Sequence, residues 1–357
     1  MNKILDICIA SFEKAETTYS LVNQILQCKS NALGVVVVDN CSSDSTVELL
    51  ETINDKRLRI IENEKNIGGA GNFVKAIMSG NAVFSLYCND RDLLFPEKLD
   101  EFIEFLNNHQ GLSCGWCSRN VNKLIKGRYK IYSSKDALRS FCYRSEHPTG
   151  FFFNRGCLSE ISHTLIEEFS NTNNFVPFPW ECIQAECSSM GESAIYNDVI
   201  WASTGDISHK KYISSYVALD NIEDRWFSVS NTANRICYYL EQLDRLNGFI
   251  RFSNKEYLDL QSNILLSGYK ICVWRYKAIR ETQSLAYHYS INLSKVGKKE
   301  IDYLSSNYSS FVFKSPHIIE KKDLEAIYKK KIRQYIHYLK KSKVLSFLSK
   351  IRKVIFK

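Results

Sequence analysis

Several signatures of familiar protein classes are missing from this sequence of 357 residues. No run approaches the roughly 18 uninterrupted apolar residues that a membrane-spanning helix needs. There is no GxxxxGK[ST] phosphate-binding loop, and no GxGxxG follows the first apolar segment, which disfavours Rossmann dehydrogenases. Cys114 and Cys117 form a lone CxxC without a second pair at zinc-site spacing, so we expect them to pack in the core. Internal repeats and linker-like segments are also missing.

What is present indicates a folded protein. The chain is 45% hydrophobic and has 20 Phe, 20 Tyr and 5 Trp, which is enough to fill a core and argues against disorder. Its length favours a principal domain with an appendage. The first apolar stretch, residues 4–10, contains Asp6 and fits a buried strand better than a signal peptide. The twelve cysteines then indicate reduced thiols in the cytosol.

The positive charge is confined to one end of the chain. Residues 329–357 hold 11 Lys and Arg and no Asp or Glu, out of 47 basic and 39 acidic residues in the whole chain. The remaining 36 basic and 39 acidic residues give residues 1–328 a net charge of −3, although the whole chain carries +8. A slightly acidic body of this kind gives poor support to nucleic-acid binding.

Strand and helix patterns alternate through the first hundred residues. The strand patterns cover 4–10, 34–38, 58–62 and 83–88, and the helix patterns cover 15–27, 45–53, 72–79 and 96–106. This alternation predicts an α/β fold with a mostly parallel central sheet flanked by helices. Ligands of such sheets bind beyond the carboxyl ends of the strands. We therefore expect residues 11–14, 39–44 and 89–92 to converge on one site.

The pattern changes along the rest of the chain. Further strands are predicted at 112–118, 128–132, 150–154 and 194–201, with helices at 134–142, 157–169 and 180–190. Long helical patterns then follow at about 222–247, 254–282 and 321–341. We expect a catalytic domain over 1–212, a helical region over 213–325 and a basic tail over 326–357.

Three segments carry polar groups directly after predicted strands. They are ASFEK at 10–14, VVDNCSSDST at 37–46, and the pair NIGGAGN at 66–72 and YCNDRD at 87–92. Asp90 and Asp92 lie two residues apart on a turn, where two carboxylates can share a hard divalent cation that also binds phosphate. Asp39 could accept hydrogen bonds from a base or ribose, or could cap the helix at 45–53. Glycines at 68, 69 and 71 would let backbone approach a ligand closely.

In their order and spacing these segments resemble glycosyltransferase family 2, which has the GT-A fold. The resemblance is strongest over residues 4–100 and extends to about 212. Within the family, the sequence resembles the bacterial transferases of O-antigen and capsule assembly. Three departures stand out: Ala10 replaces the usual Pro, Asn40 replaces an Asp, and Asn89 and Arg91 interrupt an often acidic run.

The resemblance implies roles for residues on the donor side. It assigns nucleotide-sugar binding to Ser11, Glu13, Asp39, Asn66, Gly68, Asn72, Asp90 and Arg91. Asp92 would be the main ligand of Mn²⁺ or Mg²⁺ at the diphosphate, with Asp90 and His209 as further candidates. His147 and Gly150, in the segment HPTGFFFNR, would lie near the acceptor.

The catalytic base of the resembled family is a carboxylate near the start of a helix, and inverting members use it. Counting back from Gly191 puts Trp180 at the family position and Glu181 one residue later. The apolar face of this helix does not require Glu181 to be buried, and the helix dipole favours its ionised form. Glu181 is the first candidate, Glu186 the second, and an ordinary acidic residue in the first turn remains the alternative.

The basic tail has apolar residues at helical spacing. Ile332, Tyr335, Ile336 and Leu339 share one face, and Lys and Arg fill the other, which is typical of a helix lying on anionic lipid. A solvated tail and a helix packed on a partner subunit are the alternatives, so an oligomer stays open. We expect a cytoplasmic protein, peripheral on the inner face of the membrane, that takes a nucleotide-diphosphate sugar as donor and a polyprenyl-linked oligosaccharide as acceptor.

Two other functions compete with this interpretation. A sugar-phosphate nucleotidyltransferase also combines an α/β fold with metal-binding carboxylates, but it requires a Gly-rich basic loop that residues 11–14 do not provide. A catalytically degenerate GT-A domain that acts as a membrane-associated scaffold is the second, and Asn89 and Arg91 are its motivation.

Overall fold

The computed structural model describes residues 3–119, 125–144, 147–161, 167, 178–203, 228–274 and 298–355. The chain divides into two compact units, Met1–Asp224 and Arg225–Lys357. The predicted boundaries at 212 and 325 are not tested by this division and stay predictions. None of the described helices is long and apolar enough to cross a membrane.

The first unit is built on an eight-stranded sheet with the order β3-β2-β1-β4-β8-β6-β9-β7, beside a two-stranded sheet of β10 and β5. The strands are β1 (Leu5–Ser11), β2 (Leu33–Asp39), β3 (Leu58–Glu62), β4 (Phe84–Asn89), β5 (Asp92–Leu94), β6 (Cys114–Cys117), β7 (Tyr129–Tyr132), β8 (Phe151–Asn154), β9 (Ser193–Tyr196) and β10 (Trp201–Ser203). Its helices are α1 (Ala15–Ile25), α2 (Thr46–Glu51), α3 (Gly68–Met78), α4 (Pro96–Asn108), α5 (Ser134–Ser140), α6 (Arg155–Glu160) and α7 (Pro179–Met190).

The predicted mostly parallel sheet flanked by helices is confirmed. Strands β3, β2, β1 and β4 are all parallel. Every residue of β2 is buried, as expected for a β-branched run covered by helices on both faces. Beyond β4 the sheet becomes mixed, because β8 runs antiparallel to both β4 and β6.

The structure corrects the single strand predicted over 194–201. The segment forms β9, which lies in the large sheet between β6 and β7, and then β10, which pairs antiparallel with β5. Two short strands replace one because the chain turns between Tyr196 and Trp201 to cover the Asp92 segment. The helix predicted over 157–169 begins earlier, at Arg155, and its later part lies mostly outside the described residues.

The second unit consists of helices in its described part. They are α8 (Val229–Ile250), α9 (Asn254–Tyr269), a π-helical turn (Lys270–Trp274), α10 (Lys298–Val312) and α11 (Lys321–Ile355). A capping box starts α9, since Ser253 and Glu256 satisfy each other's backbone N–H groups. Helix α11 packs on α9, where the Nζ of Lys331 lies 2.6 Å from carboxylate Oδ1 of Asp259.

Candidate active site at the carboxyl edge of the parallel strands

The parallel strands bring the predicted polar segments to one edge of the sheet. Ser11 pairs with Asp39 across β1 and β2, and Ala10 pairs with Asn89 across β1 and β4. Ser11, Asp39 and Asn89 end their strands on the same side because parallel strands share a direction. The convergence predicted from the strand and helix alternation is therefore present.

The loops after β1 and β2 are locked together by hydrogen bonds. The carboxylate of Glu13 accepts from the N–H of Ser43 at 2.7 Å and from its hydroxyl at 2.9 Å. In return the N–H of Glu13 donates to Oγ of Ser42 at 2.9 Å. Glu13 has a φ of +53°, a left-handed conformation that a non-glycine residue rarely adopts. Glu13 thus braces the loop that the sequence predicts to lie near the nucleotide base.

Asp39 is fully buried, and its carboxylate is occupied by its own loop. Oδ2 accepts from the N–H of Ser42 at 2.8 Å, and Oδ1 accepts from the Ser42 hydroxyl at 2.6 Å. The alternative role as a cap of the following helix falls to Asp44, whose Oδ1 accepts from the N–H of Thr46 at 3.1 Å. Asp39 shapes the turn from which a base or ribose contact would have to be made.

Four asparagines form a network beneath this edge. Asn40 is buried, donates through Nδ2 to Asn66, and accepts from Asn63 Nδ2 at 3.0 Å. Asn63 also donates to Asn72, and Nδ2 of Asn72 donates to the carbonyl of Val38 at 3.0 Å. Because Asn72 is only 2% exposed, it can act on a nucleotide sugar only through the backbone it holds.

Asn66 and Gly68, the other two residues of the predicted glycine-rich set, lie where α3 begins. The side chain of Asn66 accepts from the N–H of Gly68 at 2.8 Å. Gly68 has a φ of +76°, which favours glycine over other residues. This turn starts the helix, and its predicted contact with the donor stays a prediction.

Asp92 lies in a buried polar pocket formed by residues of two segments, 89–92 and 147–149. Its Oδ2 accepts from the hydroxyl of Thr149 at 2.5 Å and from Nδ2 of Asn89 at 3.3 Å. Nδ1 of His147 lies 3.5 Å from the same oxygen. The other oxygen, Oδ1, is buried and has no hydrogen-bond partner among the described residues. A buried oxygen without a hydrogen bond destabilises the folded protein unless a ligand supplies the missing contact.

Asp90 and Arg91 lie on the turn between β4 and β5, and both are half-buried. Desolvation raises the pKa of Asp90 to about 6, although the charges of Arg91 and Lys14 and the N–H of Phe12 act in the opposite direction. Asp92 also raises this pKa, since a second carboxylate nearby disfavours ionisation. The pair therefore has the electrostatics of a site that a cation would stabilise.

His147 and Gly150 hold the neighbouring wall of the Asp92 pocket. The His147 ring stacks on Trp201 with centroids 5.3 Å apart, and burial lowers its pKa although Asp92 acts to raise it. Gly150 has a φ of +96°, and a Cβ there would lie 2.5 Å from the indole nitrogen of Trp201. Glycine is therefore required by packing at this position, and the predicted contacts of both residues with the acceptor stay predictions.

Helix α7 carries both candidate bases. Glu181 and Glu186 are buried, at 1% and 7% exposure, whereas an exposed first-turn position for Glu181 was compatible with the sequence. The helix start is tied to the sheet edge by aromatic contacts: Trp180 lies 5.7 Å from Phe73, which lies 4.4 Å from Tyr87. The Tyr87 hydroxyl donates to Asn89 at 3.1 Å, so Glu181 follows a residue linked to the Asp92 pocket.

The carboxylate groups at this edge partly fit the requirements of a hard cation. Asp92 Oδ1 and the half-buried carboxylate of Asp90 offer oxygen, which Mn²⁺ and Mg²⁺ accept together with phosphate and water. No cluster of three His, Cys, Asp or Glu that could hold a metal occurs within the described residues. His209, the third predicted ligand, lies outside the described residues.

Several residues of this edge were not found from the sequence. Thr149 and Trp201 complete the Asp92 pocket, although each is more than fifty residues from Asp92 in the chain. Thr149 lies inside the quoted segment HPTGFFFNR, where only His147 and Gly150 were assigned roles. Ser42 lies inside the recognised segment, but only the structure shows that its N–H and hydroxyl donate to both carboxylate oxygens of Asp39. All twelve cysteines are free thiols, and Cys114 and Cys117 are buried in β6, as the packing interpretation of the lone CxxC predicts.

Comparison with known proteins finds a family model and a relative that match parts of this chain. The model of glycosyl transferase family 2 matches residues 6–165. Succinoglycan biosynthesis protein ExoO of Rhizobium meliloti (strain 1021) is 28% identical over 106 residues. That match spans 29% of this chain and 30% of the relative, so the chain covers less than a third of the relative's length.

Two solved structures align with most of this chain. S. aureus TarS in complex with UDP aligns with a TM-score of 0.47 at 14% identity, covering 86% of this chain and 91% of that chain. The mannosyltransferase PcManGT from Pyrobaculum calidifontis, in complex with GDP-Man and Mn²⁺, aligns with a TM-score of 0.48 at 14% identity. That alignment covers 87% of this chain and 85% of the other.

Proposed function

We propose that this chain, whose residues 6–165 belong to glycosyltransferase family 2, transfers a sugar from a nucleotide-diphosphate sugar to a hydroxyl group of a lipid-linked surface-polysaccharide intermediate. The name of the matched relative, a succinoglycan biosynthesis protein, supports a polysaccharide product. The single observation that carries the proposal is the buried oxygen of Asp92, which has no partner among the described residues at the edge where the family's motifs meet.

The donor would bind along the ends of β1, β2 and β4. The braced turns around Glu13 and Asp39 present backbone and side-chain groups to the base and ribose, and their mutual hydrogen bonds keep them in place before the donor arrives. Preorganisation of this kind lowers the cost of ordering loops on binding. Arg91 lies on the next turn, and its positive charge would attract the diphosphate.

Asp92, assisted by Asp90, would hold Mn²⁺ or Mg²⁺ against the diphosphate. When bound, the cation supplies positive charge that stabilises the departing nucleoside diphosphate. The chain contributes the orientation of Asp92, because Thr149 and Asn89 fix Oδ2 and leave Oδ1 for the ligand.

Glu181 would serve as the base for the acceptor hydroxyl, with Glu186 as the second candidate. The carboxylate takes the hydroxyl proton, the acceptor oxygen bonds to the anomeric carbon, and the bond to the diphosphate breaks with its electron pair leaving on phosphate oxygen. Attack opposite the leaving group inverts the configuration at that carbon. A positioned base of this kind contributes roughly 10²–10⁴-fold in rate.

A thermal-shift panel of UDP-, GDP-, CDP- and dTDP-sugars, with and without Mn²⁺, tests the proposal. A ligand that binds the folded state raises the apparent melting temperature by mass action, so one donor class should stabilise the protein, and more so with Mn²⁺. If no nucleotide sugar stabilises the wild type under either condition, the transferase proposal fails and the scaffold alternative is favoured. A shift with a sugar 1-phosphate and a nucleoside triphosphate instead would favour the nucleotidyltransferase.

The C-terminal helix would bring the enzyme to the cytoplasmic face of an anionic membrane. Helix α11 begins at Lys321, and its Ile332, Tyr335 and Ile336 are half-buried in the second unit, so they are less available to lipid than the sequence suggests. The Nζ of Lys331 is likewise engaged, 2.6 Å from Oδ1 of Asn263. Lipid contact is therefore proposed for the exposed basic residues of this stretch and for residues 339–357.

Liposome binding tests this part separately. A chain that ends at residue 338 should bind anionic vesicles less than the full chain, because it lacks the seven Lys and Arg of residues 339–357, each contributing about 1 kcal/mol near the surface. Neutral vesicles are the control and should bind both proteins weakly. Equal binding of the two proteins to anionic vesicles would remove the membrane role.

A further inference from the structure

A cavity of about 150 Å³ lies in the first unit, between the sheet and helices α5 and α7. Its floor is one row of the sheet, since Trp116 on β6 pairs with Phe151 on β8 and with Ile195 on β9. Its walls include Gln184 of α7, and Ser140 and Arg144 lie where it reaches the surface, because both are exposed. A volume near 150 Å³ is large enough for a group of about six non-hydrogen atoms, the size of a benzene ring.

Two hydrogen-bond donors that line this cavity are left without partners. Nε1 of Trp116 and Nε2 of Gln184 are both buried, and neither has a hydrogen-bond partner among the described residues. Gln184 is only 1% exposed, so water at the molecular surface does not satisfy its amide. Unsatisfied buried donors are rare and point to a missing ligand or ordered water.

The remaining polar groups make the lining of the cavity positively charged. Arg144 contributes a guanidinium at the mouth, and its Nη2 also donates to the carbonyl of Arg139 at 3.0 Å, which holds the side chain in place. No Asp or Glu lines the cavity in the part of the chain that the structure describes. Two N–H donors below a cation are complementary to a carboxylate, which accepts several hydrogen bonds and carries negative charge.

Two elements connect the lining of the cavity to residues of the proposed reaction site. Gln184 lies one helical turn after Glu181 on α7. Phe151 follows directly on Thr149 and Gly150, and Thr149 donates to Asp92. A group seated in the cavity would therefore belong to the acceptor side rather than to the nucleotide, which the ends of β1 and β2 receive.

We propose that this cavity is a subsite for a carboxylate group, and that the acceptor is consequently an acidic sugar or a sugar with an acidic substituent. The identity of the occupant as acceptor rests on the proposed function, whereas carboxylate binding by the cavity does not. A neutral sugar lacks the charge to pair with Arg144 and is the competing occupant.

Indole NMR signals of the full chain test the proposal directly. The chain has 5 Trp, so indole labelling with ¹⁵N gives five side-chain signals, and Trp116→Phe identifies the one from the cavity. Sodium glucuronate should shift the Trp116 signal saturably, and glucose at equal ionic strength should bind at least tenfold more weakly. The proposal is overturned if glucuronate leaves this signal unmoved or if glucose moves it equally well.

Variants separate the donors from the fold. Gln184→Leu removes the amide and nearly keeps the volume, and it should weaken glucuronate binding about tenfold, as expected for a lost hydrogen bond to a charged group. Arg144→Ala should also weaken binding, whereas Arg139→Ala, which removes a nearby positive charge that does not line the cavity, should not. If Gln184→Leu fails to fold, Trp116→Phe takes its place. Glucuronate binding to that variant is then measured by saturation transfer from protein to sugar. Unchanged affinity in whichever variant folds counts against the site.

The donor panel keeps the two proposals distinguishable. If glucuronate binds as expected and no nucleotide sugar stabilises the chain, the subsite stands and the transferase proposal fails. If a nucleotide sugar stabilises the chain while glucuronate leaves Trp116 unaffected, the transferase proposal stands and the acidic subsite is wrong.

Discussion

Two buried aspartates at the same sheet edge differ in how their oxygens are used. Both carboxylate oxygens of Asp39 accept hydrogen bonds from Ser42, three residues later in the chain. Asp92 has one oxygen held by Thr149 and Asn89 and a second that is buried without a partner in the described part of the chain. The first arrangement stabilises a turn by itself, and the second is complete only with a ligand.

The difference separates residues that build the site from residues that act in it. A satisfied buried carboxylate contributes to folding, so its loss should be seen mainly in stability. A carboxylate with an unsatisfied oxygen costs stability in the free protein and repays that cost when ligand binds. The two aspartates, both recognised from motifs, should therefore respond in opposite ways to the same substitution.

The largest effect is expected from Asp92→Asn. The variant loses the negative charge that would hold the cation, so sugar transfer should fall by roughly 10²–10³-fold, the range found when one group that stabilises transition-state charge is removed. Its melting temperature without ligand should not fall, because a buried charge has been removed. Transfer rates and ligand-free melting curves of the variant measure both effects. An active Asp92→Asn enzyme would show that Asp92 belongs with Asp39 as a builder of the site.

A smaller loss of activity is expected from Thr149→Val. Valine keeps the shape of threonine and removes the hydroxyl that orients Asp92 and accepts from the N–H of Asn89 at 2.9 Å. Groups that orient a metal ligand typically change affinity or activity by about 10–100-fold. Titration of Mn²⁺ against activity should show a raised requirement for the metal, which rescue by Thr149→Ser would confirm as a hydroxyl effect. An unchanged metal requirement would mean that Thr149 only packs.

Local patterns predicted the Asp39 side of this comparison better than the Asp92 side. Strand β2 is a continuous buried run, and its motif, loop and helix follow within a dozen residues. The local sequence pattern was therefore enough to predict these elements and their order. The Asp92 pocket needs Thr149, His147 and Trp201, which reach it through strand crossovers and through the small sheet of β5 and β10. Sequence periodicity does not indicate such long-range pairing, so the pattern over 194–201 predicts one strand where the structure has two.

Burial was the property least readable from the sequence. Glu181 occupies a first helical turn, a position that usually faces solvent, and it is buried because α7 packs between the sheet and its neighbouring helices. In the basic C-terminal helix, the apolar face assigned to lipid is half-buried against α9 in its first part. Both outcomes depend on tertiary packing, which the pattern of one helix does not contain.

Asp39→Asn tests the building side of the comparison. An asparagine places an NH₂ group opposite one of the two donors of Ser42, so one hydrogen bond becomes a donor–donor contact in a fully buried position. The free energy of unfolding should fall by about 1–3 kcal/mol, the cost of leaving one buried group unsatisfied. Urea unfolding of the ligand-free chain measures the change, with Asp44→Asn in the adjacent, less buried turn as the matched control. A variant as stable as the wild type would contradict the structural role of Asp39.

The smallest effect is expected from Asn40→Asp, which restores the residue usual in the resembled family. Here Asn40 donates through Nδ2 to Asn66 at 2.8 Å and accepts through Oδ1 from Asn63 and from the N–H of Ile67 at 2.9 Å. An aspartate cannot donate to Asn66, and its second carboxylate oxygen would face the side-chain oxygen of Asn66. The two hydrogen bonds accepted by Oδ1 would become stronger because the carboxylate is charged. These terms oppose one another, so the unfolding free energy should fall by only about 1 kcal/mol, less than for Asp39→Asn. A larger loss, measured by the same urea titration, would show that the asparagine network, rather than Asp39 alone, holds this edge together, and Asn66→Asp should then be equally damaging.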